Sequence, residues 1–249
     1  MQRNKGVCEM STYMNVIVFL GSVVAMGMGG GAWALTAEEA DLFDDGFSLQ
    51  PYLYTGFGDQ KIYLGKGIIT ETGEIHDVYI NPSSADGLGV KFRLNLAQVL
   101  DIEGGIGYNT VREDRKYKFV HANFSWVNVS ASALFRTPSF FTLFDLPVRV
   151  MAGTGMDYYY DTEFSFTGWE MSAKYKNEIG SHLILGLEGR DAKKYSTTLG
   201  LRYRVIKLDA ESLSVGGKYY TDVIGPGGTH LSTIDLTATE VFVGVNWYY

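Results

Sequence analysis

Hydrophobic and polar residues alternate with a period of two along most of the chain from Phe47 onward, the signature of strands with one apolar face. The clearest hairpin sets Leu88, Val90, Phe92, Leu94 and Leu96 on one face of Gly87–Leu96, with Lys91, Arg93 and Asn95 on the other. Leu100, Ile102, Ile106 and Tyr108 then oppose Asp101, Glu103 and Asn109. A three-residue turn sets Arg93 opposite Glu103, whereas a five-residue turn pairs Lys91 with Glu103 and Arg93 with Asp101. Either register places basic side chains against acidic ones. The same alternation runs through 47–58, 119–136, 146–158, 164–176, 182–190, 195–206, 213–222 and 241–249, which makes ten strand candidates in up-and-down order. Pro51 lies inside the first and removes a ladder donor there. Eight or twelve strands are also compatible with the pattern. The longest connection, Asp59–Ala85, holds Gly65, Gly67, Gly73 and Asn81-Pro82-Ser83-Ser84, and its segments Lys61–Ile69 and Glu74–Ile80 can form a hairpin of their own.

Alternation alone also describes a soluble barrel with its apolar face inward. Comparing twenty positions per face in four strands decides between the two: one face has no charge, and the other has seven charges and six glycines. Glycines beside long charged side chains suit the crowded interior of a small barrel, where they leave room, and would only weaken a solvent-facing strand. The apolar face is therefore expected to face lipid. Tyr108, Trp126 and Trp169 are expected at one membrane interface, and Tyr203, Trp247 and Tyr249 at the other.

The C-terminal stretch Val241, Val243, Val245, Trp247, Tyr249 resembles the closing strand of bacterial outer-membrane β-barrel proteins, the small porin-like or OmpA-like class. That resemblance implies an all-β, antiparallel, up-and-down transmembrane barrel. It also implies outer-membrane lipid and lipopolysaccharide as surroundings, long connections outside the cell, and contact of the final strand with the barrel-assembly machinery.

Residues 1–34 read as a secretory signal peptide. Arg3 and Lys5 precede an apolar run from Val16 to Met28, too short for a spanning helix, and Ala32-Trp33-Ala34 supplies a small-x-small cleavage site. Residues 35–46 are an acidic lead-in, and 47–249 the barrel. Cleavage after Ala34 takes the formal charge from −7 to −8, leaving 19 basic against 27 acidic residues, and removes Cys8, the single cysteine. An acidic balance excludes a nucleic-acid partner of the usual basic kind.

The chemistry expected of the interior is a charge network of Lys91, Arg93, Asp101, Glu103, Arg136, Arg149, Asp157, Glu170, Lys174, Glu188, Arg190, Arg202, Arg204, Lys218, Asp222 and Glu240. Such a network either plugs the lumen or lines a narrow anion-preferring conduit, and side chains fill barrels near eight strands. No histidine pair has metal-ligand spacing, and neither metal nor cofactor is expected. His230-Leu231-Ser232 is similar to the His-x-Ser of outer-membrane lipid A deacylases, but Thr233 replaces the asparagine that follows there. Omptin-like proteolysis needs an Asp-x-Asp and an Asp-x-His, and the sequence contains neither. The expectation is a non-enzymatic barrel with a structural, adhesive or narrow-conduit role, binding through 59–85 and 225–235. A lipid A deacylase-like or protease-like barrel and a soluble barrel for an apolar ligand are the alternatives. Oligomeric state is not specified by the sequence.

Overall fold

In the computed structural model the described residues run from 46 to 249, apart from 70–71, 98, 114–116, 119–120, 140, 144–145, 168–169, 193 and 225–229. The expected signal peptide and lead-in therefore lie outside the described residues. Strands form in the order β1 (Phe47–Phe57), β2 (Ile62–Ile69), β3 (Ile75–Ile80), β4 (Asp86–Ala97), β5 (Leu100–Glu113), β6 (Tyr117–Lys118), β7 (Ala122–Arg136) and β8 (Phe141–Leu143). They continue with β9 (Leu146–Phe166), β10 (Met171–Tyr175), β11 (Glu178–Ala192), β12 (Tyr195–Val205), β13 (Lys207–Val215), β14 (Lys218–Tyr220), β15 (Thr233–Asp235) and β16 (Ala238–Tyr248). No described helix is long and apolar enough to cross a membrane.

Eight strands close on one another in the order β1-β4-β5-β7-β9-β11-β12-β16, with β16 returning to β1. All neighbours are antiparallel and the sheet closes on itself, so no strand edge remains in the wall. Eight is the lower of the counts the pattern allows. Two of the ten candidates, 164–176 and 213–222, run above the closed wall as the upper end of β9 with β10, and as β13 with β14. The hairpin expected within 59–85 is present as β2 and β3. Pro51 sits mid-strand opposite Val90, and the ladder to β16 passes from Leu49↔Trp247 to Tyr52↔Gly244 without a pair between.

Between β4 and β5, Arg93 faces Glu103 and Asn95 faces Asp101, the register of the three-residue turn. The connections after β4, β7 and β11 meet at one end of the barrel, the turn end. Those after β1, β5, β9 and β12 meet at the other, the loop end. There β9 exchanges β11 for β10 as its partner above Tyr159, and β10 pairs in turn with β13.

β7 and β9 each pass through two environments. In β7 the outward residues Val127, Val129, Ala131, Ala133 and Phe135 are apolar, while the inward ones include Asn128, Ser130, Ser132 and Arg136. One turn of the pattern higher the polarity is reversed: Asn123 and Ser125 face out, and Ala122, Phe124 and Trp126 face in. In β9, Met156 and Tyr158 face out opposite inward Asp157, but above them Asp161, Glu163 and Ser165 face out and Phe164 and Phe166 in. The lower wall has an apolar exterior and a polar interior. The upper wall is arranged as in a soluble protein.

Candidate functional site

Inward-facing charges of the lower wall meet in one buried network. Lys91 Nζ is 2.8 Å and Arg93 Nη2 3.2 Å from Glu103. Arg93 also approaches Asp101 (3.8 Å) and Glu188 (3.1 Å), so one guanidinium ties β4 to β5 and, across the interior, to β11. Asp101 is paired with Arg136 at 2.6 Å. Glu188 is the hub: Arg149 donates to it at 2.8 Å, Ser196 at 2.5 Å, and Tyr248 also donates to it. Above it Arg202 pairs with Glu240 at 2.5 Å and approaches Asp157 at 3.8 Å, and Arg204 donates to Glu240 and to the Leu236 carbonyl. Arg190 lies with its guanidinium carbon 4.0 Å from the centre of the Tyr248 ring, and Lys91 spans the rings of Tyr52 and Phe242. These charges are desolvated, so each carboxylate depends on its cations to remain in the interior.

Twelve of the sixteen network residues expected from the sequence are brought together here. The other four are not: Glu170, Lys174, Lys218 and Asp222 lie above the membrane wall, with Lys174 Nζ 2.8 Å from Glu163 on the outer face. Their parity was carried upward from strands in lipid, but above the switch the polar face is the exterior one. Met171, Ala173 and Tyr175 point inward instead.

His182 was not among the expected residues, although Leu183, Leu185 and Leu187 fix its parity as inward. Its Nδ1 is 2.7 Å from Asp157 Oδ2 and its Nε2 2.8 Å from Ser132 Oγ. Gly155 lies between the strands of Ser132 and His182, and a Cβ there would stand 2.6 Å from His182 Nε2, so glycine makes room for the ring. Tyr248 and Asn246 were also missed, because the terminal strand was read for its outward face.

Over the network sits a second core. Ile62, Leu64, Val78 and Ile80 of the β2–β3 hairpin pack with Phe124, Trp126, Phe164, Tyr175, Leu208 and Ile234, all buried. Trp126, expected at the membrane interface, is fully buried in this core, with Arg204 5.0 Å from its ring centre. The aromatic rims otherwise form. Tyr108, Tyr158, Tyr160 and Tyr203 lie at the loop end, Tyr158 and Tyr160 stacked at 6.1 Å. At the turn end Trp247 meets Tyr195 at 6.3 Å and Tyr249 meets Phe47 at 6.0 Å. Tyr203 thus belongs to the rim opposite the one expected, since it pairs with Thr239 at the start of β16. Trp169 lies outside the described residues.

From Val127 to Phe135 the apolar exterior of β7 covers about 27 Å along the strand, or about 20 Å of barrel height at the usual tilt of about 40°. That approaches the apolar band of a membrane barrel. No family model and no curated protein matches the sequence. Among solved structures, the outer membrane protein OprG from Pseudomonas aeruginosa is similar at TM-score 0.53, with 15% identity over 82% of this chain and 96% of that one. The fold is that of a bacterial outer-membrane β-barrel. Two further similar structures are Neisserial surface protein A (TM-score 0.45, 14% identity, 82% and 97% covered) and Ail, the attachment invasion locus protein of Yersinia pestis (0.43, 12%, 82% and 99%).

At the loop end of the barrel, the hydrogen-bond partner of His230 among the described residues is Asp222 and not the Ser232 hydroxyl. Its Nδ1 is 2.6 Å from Asp222 Oδ2, while the Ser232 backbone N–H donates to Asp222 Oδ1 at 3.2 Å. The His230 hydrogen bond holds the Asp222 carboxyl below its ordinary range. A lowered carboxyl pKa adds stability above the ordinary carboxylate value, about 3.9, and that stability is lost as pH falls through the folded value. The protection factor of the Ser232 amide, its exchange rate relative to an unstructured amide at the same pH, should therefore be high at neutral pH and fall in acid. Asp222→Asn should flatten that dependence; an unchanged profile would place the protection elsewhere.

Proposed function

We propose that this protein is a closed, non-enzymatic outer-membrane barrel whose work is done at its loop end: a structural and adhesive platform and not a conduit. The observation that carries this reading is the double obstruction of the interior. Arg93 and Glu188 join opposite parts of the wall through the centre, and above them the β2–β3 hairpin fills the mouth with a buried apolar core. A conduit needs a continuous polar path for its solute, whereas here apolar side chains lie over the ion pairs.

With the long connections outside the cell, the barrel presents a folded cap in which β2–β3, β13 and β14 supply the accessible surface. Tyr79, His76 and Asp77 of the hairpin and Tyr219 and Tyr220 of β14 are exposed there. Binding through segments 59–85 and 225–235 is the adhesive part of the proposal, since loops held on a rigid scaffold are where such function sits.

Single-channel recording in planar bilayers tests the reading. The folded barrel should insert and give no discrete conductance steps. Regular steps in the full-length protein, reversed in ion preference by Arg202→Glu, would establish the narrow conduit instead.

A further inference from the structure

The β2–β3 hairpin has two faces of different chemistry. Its inner residues Ile62, Leu64, Val78 and Ile80 are buried in the cap core, which fixes the hairpin to the barrel. The outer face is set by a bulge, one extra residue in one strand. Tyr63 pairs with Tyr79, Gly65 with Val78 and Lys66 with Asp77, so Leu64 is the extra residue, and Gly65 takes the left-handed φ of 118°. Tyr63 and Lys66, three residues apart, therefore share the face of Tyr79 and Asp77.

Burial accounts for the inner face and not for the outer one. Tyr79 is 45% exposed, and its ring lies 5.1 Å from that of Tyr63, inclined at 48°. The Tyr63 hydroxyl donates to Asp77 Oδ1 at 3.0 Å, which steadies the ring and aims the carboxylate, leaving Oδ2 as an acceptor. Side chains ordered before a ligand arrives lose less entropy on binding. Lys66, directly opposite Asp77, adds a donor and cancels its charge.

We propose that this face binds uncharged saccharide chains of an apposed surface. The inference rests on the adhesive reading above and names its ligand class. A pyranose ring has a C–H face and a rim of hydroxyls. Tyrosine ring faces suit the first, while Asp77 Oδ2 accepts from the hydroxyls and Lys66 Nζ donates to their oxygens. Charge decides against other occupants. A sulfated or sialylated chain would meet Asp77 and a cationic peptide would meet Lys66, whereas a neutral chain meets a pair that sums to zero. The phosphate-bearing inner sugars of lipopolysaccharide are disfavoured on the same ground.

The barrel, folded in detergent micelles and applied to an array of neutral, sialylated and sulfated oligosaccharides, tests the proposal. Saturable binding confined to neutral members is expected. On the member bound best, Tyr79→Leu and Asp77→Ala should each weaken binding about tenfold. Tyr79→Phe, which keeps the ring, and Tyr108→Leu on the barrel rim should leave it unchanged. Thermal unfolding should be alike in Tyr79→Leu and Tyr79→Phe, so that the ring acts on the ligand and not on the fold. Absence of neutral binding overturns the proposal, as does binding led by charged members, full affinity in Tyr79→Leu, or an equal loss in Tyr108→Leu. Vesicles carrying the barrel keep this inference apart from the adhesive reading. They should adhere to a coat of neutral glycoprotein and release once periodate has cleaved its vicinal diols. Adherence that survives periodate overturns the saccharide and leaves the adhesive platform standing, and no adherence to either coat overturns both.

Discussion

Replacing Glu188 with alanine should destabilise the folded barrel by about 3–5 kcal/mol, the usual consequence of removing one partner from a buried ion pair. Glu188 is fully buried and receives Arg93, Arg149, Ser196 and Tyr248 from four other strands. Its loss would remove at once the carboxylate that two guanidinium groups and two hydroxyls share in a buried interior. The effect is on the folded state, because in the unfolded chain all these groups are solvated. Urea titration of the barrel in micelles, followed by heat-modifiable gel migration, measures it. Glu188→Gln should recover part of the loss, since the amide oxygen still accepts hydrogen bonds. A change within about 0.5 kcal/mol, typical of exposed positions, would mean that water reaches this site and the network does not close the interior.

The lower half of this molecule was legible in the sequence, and the upper half was not. Leu88–Leu96 against Lys91, Arg93 and Asn95 identified both faces of β4, and basic against acidic side chains across the turn followed from parity, with Arg93–Glu103 one of the two registers it allowed. This worked because a membrane strand has only two environments and its side chains alternate between them. Glu170, Lys174, Lys218 and Asp222 were misplaced because the rule for reading the faces inverts where lipid ends, and nothing in the period of two marks that level. Trp126 failed for the same reason. An aromatic near a strand end suits an interface girdle, but inward parity carried it into the cap core. His182 was legible in principle, from its position one residue before Leu183 on an alternating strand. It was passed over because it begins the candidate strand and carries no metal-ligand spacing. The bulges at Asp161 and Glu211 could not be read at all, since bulges are set by pairing between strands distant in sequence.

Lysine placed along the outer face of β7 should show where lipid gives way to water. Ala131 is the midpoint of the apolar stretch Val127–Phe135 and is exposed on the wall exterior, whereas Ser125, two positions above that stretch, lies among the outward polar residues of the upper wall. On a lipid-facing strand, lysine at the bilayer midplane costs about 2–4 kcal/mol, falling to about 0–1 near the interfaces. In water both substitutions would fall within about 0.5 kcal/mol of zero, as exposed positions do. The two side chains sit on the same face of the same strand, so strand propensity and barrel register are common to both. The decisive measurement is reversible unfolding from phospholipid vesicles of Ala131→Lys and Ser125→Lys against the parent barrel. The structure predicts a loss of about 2–4 kcal/mol for the first and about 0–1 kcal/mol for the second. Equal, small losses at both positions would contradict a membrane around the lower wall.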